Sequence, residues 1–151
     1  MRRMLVLVCI SFILIISGCY VNTKEISENK SSEIIDMVKS GDTEGLATLF
    51  SSHARQKYDI EAQIEDALAF IDGEIVGTYS VHISGSESTT TSNLDDNITL
   101  YITADNIETT TGKFYCMHYA YAYTDFDDAD NIGISKLSIT NEDGGRDVGG
   151  E

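Results

Sequence analysis

The chain has 151 residues, with 10 Lys and Arg against 25 Asp and Glu, for a formal net charge of −15. That length suits one domain and is short for two, and that charge repels phosphate backbones and anionic headgroups. Nucleic acid is excluded as a partner, as is a polybasic contact with a membrane.

Chain order begins with Arg2-Arg3, an apolar run from Met4 to Ile16, and then Ser17-Gly18-Cys19. A basic head, a short apolar stretch and small residues read as a secretory signal peptide, residues 1–18. The run is too short to span a hydrocarbon core of about 30 Å comfortably. Ile16-Ser17-Gly18-Cys19 resembles a bacterial lipobox. That resemblance implies diacylglycerol transfer to the Cys19 thiol, cleavage between Gly18 and Cys19, and a lipid-anchored protein on the extracytoplasmic face of the cell membrane. Arg2 and Arg3 leave with the signal, so the remaining 133 residues carry 8 basic against 25 acidic side chains, a net −17. Anchoring then rests on the acyl chains, at about 0.8 kcal/mol per buried methylene.

Cys9 leaves with the signal and Cys19 takes the lipid, so Cys116 stands alone and no intramolecular disulfide forms. With no basic neighbour in sequence, Cys116 reads as a small half-buried hydrophobe and not as a reactive thiol.

Residues 19–30 read as the lipidated cysteine and a polar, flexible tether, whose last eleven residues span roughly 18 Å. A first helix is predicted over Ser32 to Ser40, with Ile34, Ile35 and Val38 on one face and Gly41 as its stop. Asp42 caps a second short helix carrying Leu46, Leu49 and Phe50. A third is capped by Asp59, with Ile60, Ile64, Ala67, Leu68 and Ile71 at helical spacing and Asp72-Gly73 as its end.

After Gly73 the apolar period changes to two. Strands are predicted over residues 78–84, 98–103, 114–124 and 133–139, joined by GSESTTTSN, NIETTTGK and DFDDADN as hairpin loops. The chain has no Pro, so Gly, Asn and Asp must make these turns. Residues 141–151, rich in Gly and acid, read as a disordered tail, leaving 31–140 as the domain. The expected fold is α+β: three helices on one face of a curved four-stranded antiparallel sheet.

The runs Glu33-Ile34-Ile35, Gly41-Asp42, Leu49-Phe50-Ser51, Phe70-Ile71-Asp72-Gly73, Gly85-Ser86-Glu87 and Gly133-Ile134-Ser135 resemble short lipoproteins of Gram-positive bacteria. These are grouped only as a domain of unknown function. The resemblance implies a fold similar to the cone-shaped nuclear-transport-factor-2-like (SnoaL-like) group and supplies no catalytic residues. It also implies a weak homodimer through the outer sheet face, with Cys116, His118, Ala120 and Ala122 exposed there.

Three constellations carry chemistry. Tyr115, Met117, Tyr119, Tyr121 and Tyr123 alternate with Phe114, Cys116, His118, Ala120 and Ala122. The large face packs better against helices, so the Tyr stripe is placed inward, as core or as the lining of a pocket formed by Tyr115, Tyr119 and Tyr121. His82 and His118 then face solvent, and His53 lies in a polar stretch. Asp125, Asp127, Asp128, Asp130 and Asn131 crowd one hairpin, but an EF-hand counted from Asp125 meets Asp130 and Lys136 where it needs Gly and Glu. Only a weak calcium loop remains there beside solvated turn residues. No phosphate loop, HExxH or GxSxG motif occurs, and no cofactor is implied. The reading is a membrane-anchored, non-catalytic binding or interaction domain with an unknown protein or small-molecule partner. Its alternative is a small cone-fold enzyme using interior Tyr residues with Asp72 or Asp125.

Overall fold

The computed structural model describes residues 22–90 and 96–150; the expected signal segment, with Gly18, Cys19 and Tyr20, lies outside the described residues. Among the described residues, four helices come first: α1 (Thr23–Ser40), α2 (Thr43–Thr48), α3 (Ser52–Lys57) and α4 (Ile60–Phe70). Six strands follow: β1 (Ile75–Val76), β2 (Ser80–Thr90), β3 (Asp96–Thr109), β4 (Phe114–Thr124), β5 (Gly133–Asn141) and β6 (Gly144–Gly149). A 3₁₀ turn, Ala129–Asn131, leads into β5.

All strand pairs are antiparallel. β3 pairs β4, β4 pairs β5 and β5 pairs β6, while β1 and β2 share the other edge of β3. The fold is α+β, with the N-terminal helices packed on a strongly curled sheet, a half-barrel. Bulges between Ile83 and Gly85, Ala104 and Ile107, and Ala120 and Tyr121 supply the bending. At the second, Asn106 takes a left-handed φ of 59°, a conformation that Asn tolerates better than most residues.

The core lies between the helices and the concave face. Ile34, Ile35, Leu46, Phe50 and Ile64 meet Leu100, Ile102, Met117, Ile134, Leu137 and Ile139, all fully buried or nearly so.

Four sequence expectations need correction. Helix α1 opens at Thr23, inside the expected tether. Asn22 caps it by accepting from the Glu25 N–H, and its buried face runs Ser27, Ser31, Ile34, Ile35 and Val38. The first two inward positions are serines, Ser31 Oγ meeting the Tyr119 hydroxyl and Ser27 Oγ donating to Lys24 C=O, so no apolar period marks them.

Helix α3 carries no apolar period and is not among the predicted elements, because only Ala54 of its six residues is buried; Ser51 caps it by accepting from Ala54 N–H. The expected tail instead forms the end of β5 and strand β6, held by one buried apolar residue, Val148, and by packing against α4. The sheet therefore has six strands, and β2 and β3 extend through the Thr-rich segments read as loops. Threonine is β-branched and fits a strand without an apolar signature, whether exposed as at Thr89 or buried as at Thr109.

Candidate functional site

Helix α3 is hung on the sheet by its preceding residues. Phe50 bridges Ile134 in parallel, with Ser51 N–H donating to Ile134 C=O and Ile134 N–H to Leu49 C=O, each at 2.9 Å. This brings His53 and Tyr58 to face the Asp125–Asn131 turn across a rim pocket of about 330 Å³. Thr99, Ala122 and Ser135 from the sheet complete its wall, with Ala54 and Gly150.

The acidic residues of that turn form its frame. Asp125 Oδ1 accepts from the N–H groups of Asp127 (3.0 Å) and Asp128 (2.9 Å), and its Oδ2 accepts from Asn131 Nδ2 at 2.9 Å. Asn97 clamps the other side, donating to Asp127 Oδ2 at 2.8 Å and accepting from Phe126 N–H at 2.7 Å. Asp128 accepts from Asp130 N–H at 3.0 Å and meets His53 Nε2 at 2.9 Å. Among the described residues, no three His, Cys, Asp or Glu side chains are grouped so as to hold a metal ion.

The pKa shifts follow from these bonds. The Asn131 amide and then the Asp128 N–H hold the Asp125 carboxyl below its ordinary value. His53 does the same for Asp128, and the Asp128 hydrogen bond raises the His53 imidazole above 6.5. The raised His53 adds stability that is fully present below its unfolded pKa and lost as pH rises through the folded one. The lowered Asp128 adds stability present above its unfolded pKa and lost as pH falls through the folded one. The pair therefore supports the turn best between the two. An NMR titration should give His53 a midpoint above 6.5, returning toward that value in Asp128→Asn. An unchanged midpoint would refute the pairing.

The Tyr stripe faces inward, and Tyr115 and Tyr119 are each 3% exposed. Their hydroxyls are taken by the helices. Tyr115 Oη accepts from Asp72 N–H at 2.8 Å and donates to Phe70 C=O at 3.3 Å, closing the end of α4. Tyr119 Oη lies 2.6 Å from Ser31 Oγ and donates to Ser27 C=O, and burial raises its phenol pKa. Tyr121 is half-buried beneath Lys30, whose Nζ lies 5.1 Å from the ring centroid. Asp72 is exposed and pairs with Lys113 at 3.2 Å.

On the outer face the histidines are exposed as expected, but they are connected. His82 Nδ1 lies 3.1 Å from Asp105 Oδ2, Cys116 Sγ donates to Asp105 Oδ1 at 2.9 Å, and His118 Nε2 lies 3.2 Å from Cys116 Sγ. Thr103 Oγ1 sits 2.9 Å from His118 Nδ1. Sequence reasoning missed this row because the bulge at Asp105 and Asn106 is what brings Asp105 beside Cys116, and no period marks a bulge. Burial first, and then the Asp105 hydrogen bond, push the Cys116 thiol up to about 12. A thiol held that way stays protonated at neutral pH and is a poor nucleophile. Beside it runs a shallow groove of about 270 Å³ walled by Tyr101, His118, Ala120 and Lys136.

No curated protein matches the chain. Residues 33–142, from within α1 to the turn after β5, match the domain of unknown function DUF5104, and the chain belongs to that family.

Proposed function

We propose that this chain is an extracytoplasmic lipoprotein, anchored by lipid on Cys19, whose cone-like domain binds a ligand or partner at the rim pocket and does not turn it over. The similarity to the nuclear-transport-factor-2-like group is part of that reading. One observation carries the choice of site. The interior hydroxyls of Tyr115 and Tyr119 are spent on helix groups, whereas the rim pocket is concave and holds polar side chains without partners. Catalysis needs an acid or base within reach of the reacting group, usually beside a nucleophile it activates. Among the described residues, no hydroxyl or thiol hydrogen-bonds the free ring nitrogen of His53.

The anchor also sets distance. With α1 starting at Thr23, four Cα steps separate it from Cys19, a reach of at most about 14 Å, so the domain is held against the membrane surface. Mass spectrometry of membrane-extracted protein should show Cys19 as an acylated first residue. Cys19→Ser should lose the lipid and accumulate as uncleaved precursor. Cleavage elsewhere with a free thiol would refute the anchor.

A second reading, a small cone-fold enzyme, is favoured by the His53–Asp128 pair at the pocket wall, where His53 would serve as base. The interior Tyr and Asp version has less support, because Asp125 and Tyr115 are already fully engaged. Turnover of a bound compound that His53→Ala abolishes while binding persists would select the enzyme.

A further inference from the structure

We infer that the rim pocket is shaped for a neutral, hydroxyl-rich ligand of the saccharide class. This rests on the binding role proposed for that site.

The inference starts from which polar groups remain open. Among the described residues, the hydroxyls of Tyr58, Thr99 and Ser135, the amide oxygen of Asn131 and the Nδ1 of His53 make no hydrogen bond, and all five residues line the pocket. Three hydroxyls that can each donate and accept, set around a carbonyl acceptor and a ring nitrogen, complement a molecule bearing a hydroxyl on each edge. Pockets gain orientation and specificity from a few such convergent groups above an apolar floor. Ala54, Ala122 and the Tyr58 ring supply that floor, suited to the C–H face of a sugar ring.

Charge then narrows the class. An anion would approach a mature chain of net charge −17 and two ionised carboxylates, Asp125 at the wall and Asp128 behind His53. A cation would find those carboxylates occupied. Asp125 already accepts three hydrogen bonds, and Asp128 is shared between His53 and a backbone N–H. Lys57 lies 4.8 Å from the Tyr58 ring centroid, so cationic charge is also present at the mouth. Neither sign of charge is favoured.

The site is also preorganised. The turn is pinned by Asp125 and Asn97, and α3 by the Phe50–Ile134 bridge, so little ordering is required on binding.

The experiment titrates the full-length lipoprotein, in a sugar-free zwitterionic detergent, with four probes: cellobiose, N,N′-diacetylchitobiose, galacturonate and spermidine. Amide signals of Tyr58, Thr99, Asn131 and Ser135 should shift saturably with at least one neutral disaccharide. A triple variant, Tyr58→Phe, Thr99→Val and Ser135→Ala, removes hydroxyls at nearly constant shape. It should keep the native spectrum and weaken binding about tenfold or more. The inference is overturned if neither disaccharide gives a saturable shift at about 50 mM, far above the millimolar range of weak specific sites. It is equally overturned if the triple variant binds as the parent does, or if galacturonate or spermidine binds more tightly than both disaccharides. Bond cleavage in a bound disaccharide, seen as new anomeric signals, would instead leave the ligand class standing and overturn the non-catalytic role.

Discussion

Replacing Ile64 with Ala should lower the unfolding free energy by about 2–5 kcal/mol, the usual range for truncating a buried aliphatic side chain. Ile64 is fully buried on α4, between Ile60 and Ala67 on the same face, where the helix packs on α2 and β6. The cost has two parts: the lost transfer free energy of the removed carbons, and the cavity that the surrounding core does not fill. Leu68, which helical spacing alone places on the same face, is only partly buried and should lose less when cut to Ala. Urea denaturation followed by circular dichroism measures both. Equal losses at the two positions would mean that α4 docks on a different face.

How much of this was legible in the sequence depends on what faced inward. Where apolar residues repeat, as at Ile60, Ile64 and Ala67 or along β4, element and orientation followed from the period, and the Tyr stripe points inward. Where the buried positions are polar or tiny, the period is silent. Ser27 and Ser31 are 2% and 0% exposed, yet they carry no hydrophobic signal because their hydroxyls are buried against polar partners, Lys24 C=O and Tyr119 Oη. Helix α3 buries one alanine, and β6 one valine. These elements exist through tertiary contacts: the Phe50–Ile134 bridge for α3, and for β6 the hydrogen bond from Gly149 N–H to Gln63 Oε1.

The site was less legible than the fold, for a related reason. His53, Tyr58, Thr99, Asn131 and Ser135 come from three separate stretches of chain, and the element that gathers them is the helix with the weakest pattern. The acidic turn was visible, but its role was not. Asp125 reads from sequence as a solvated or calcium-facing carboxylate, and in the fold it spends both oxygens on the turn itself. The outer-face row from His82 to His118 depends on a bulge whose only local marker is Asn106.

Gly133→Ala is expected to damage the rim severely. Gly133 has φ +124°, a region that residues with a Cβ rarely enter. A Cβ built there would lie 2.8 Å from Ser51 N, 2.9 Å from Leu49 O and 3.1 Å from Phe50 C. All three are backbone atoms of the segment that bridges β5, so no side chain can swing aside. Relief requires lifting Leu49–Ser51 off Ile134, which gives up both bridge hydrogen bonds and withdraws the Ser51 cap from α3. Backbone strain of about 1–3 kcal/mol and two hydrogen bonds near 1 kcal/mol each give a loss of about 3 kcal/mol or more. Gly112→Ala is the comparison, because its φ is +78° and its Cβ would meet nothing within 4 Å. That variant should lose only the conformational part, about 1–2 kcal/mol. The two denaturation midpoints separate collision from strain, and His53 offers an independent readout. If the bridge opens, α3 leaves the acidic turn and the His53 titration midpoint falls toward 6.5, whereas Gly112→Ala leaves it where it was. Equal losses in the two variants, with His53 unmoved in both, would show that the bridge does not hold the rim together.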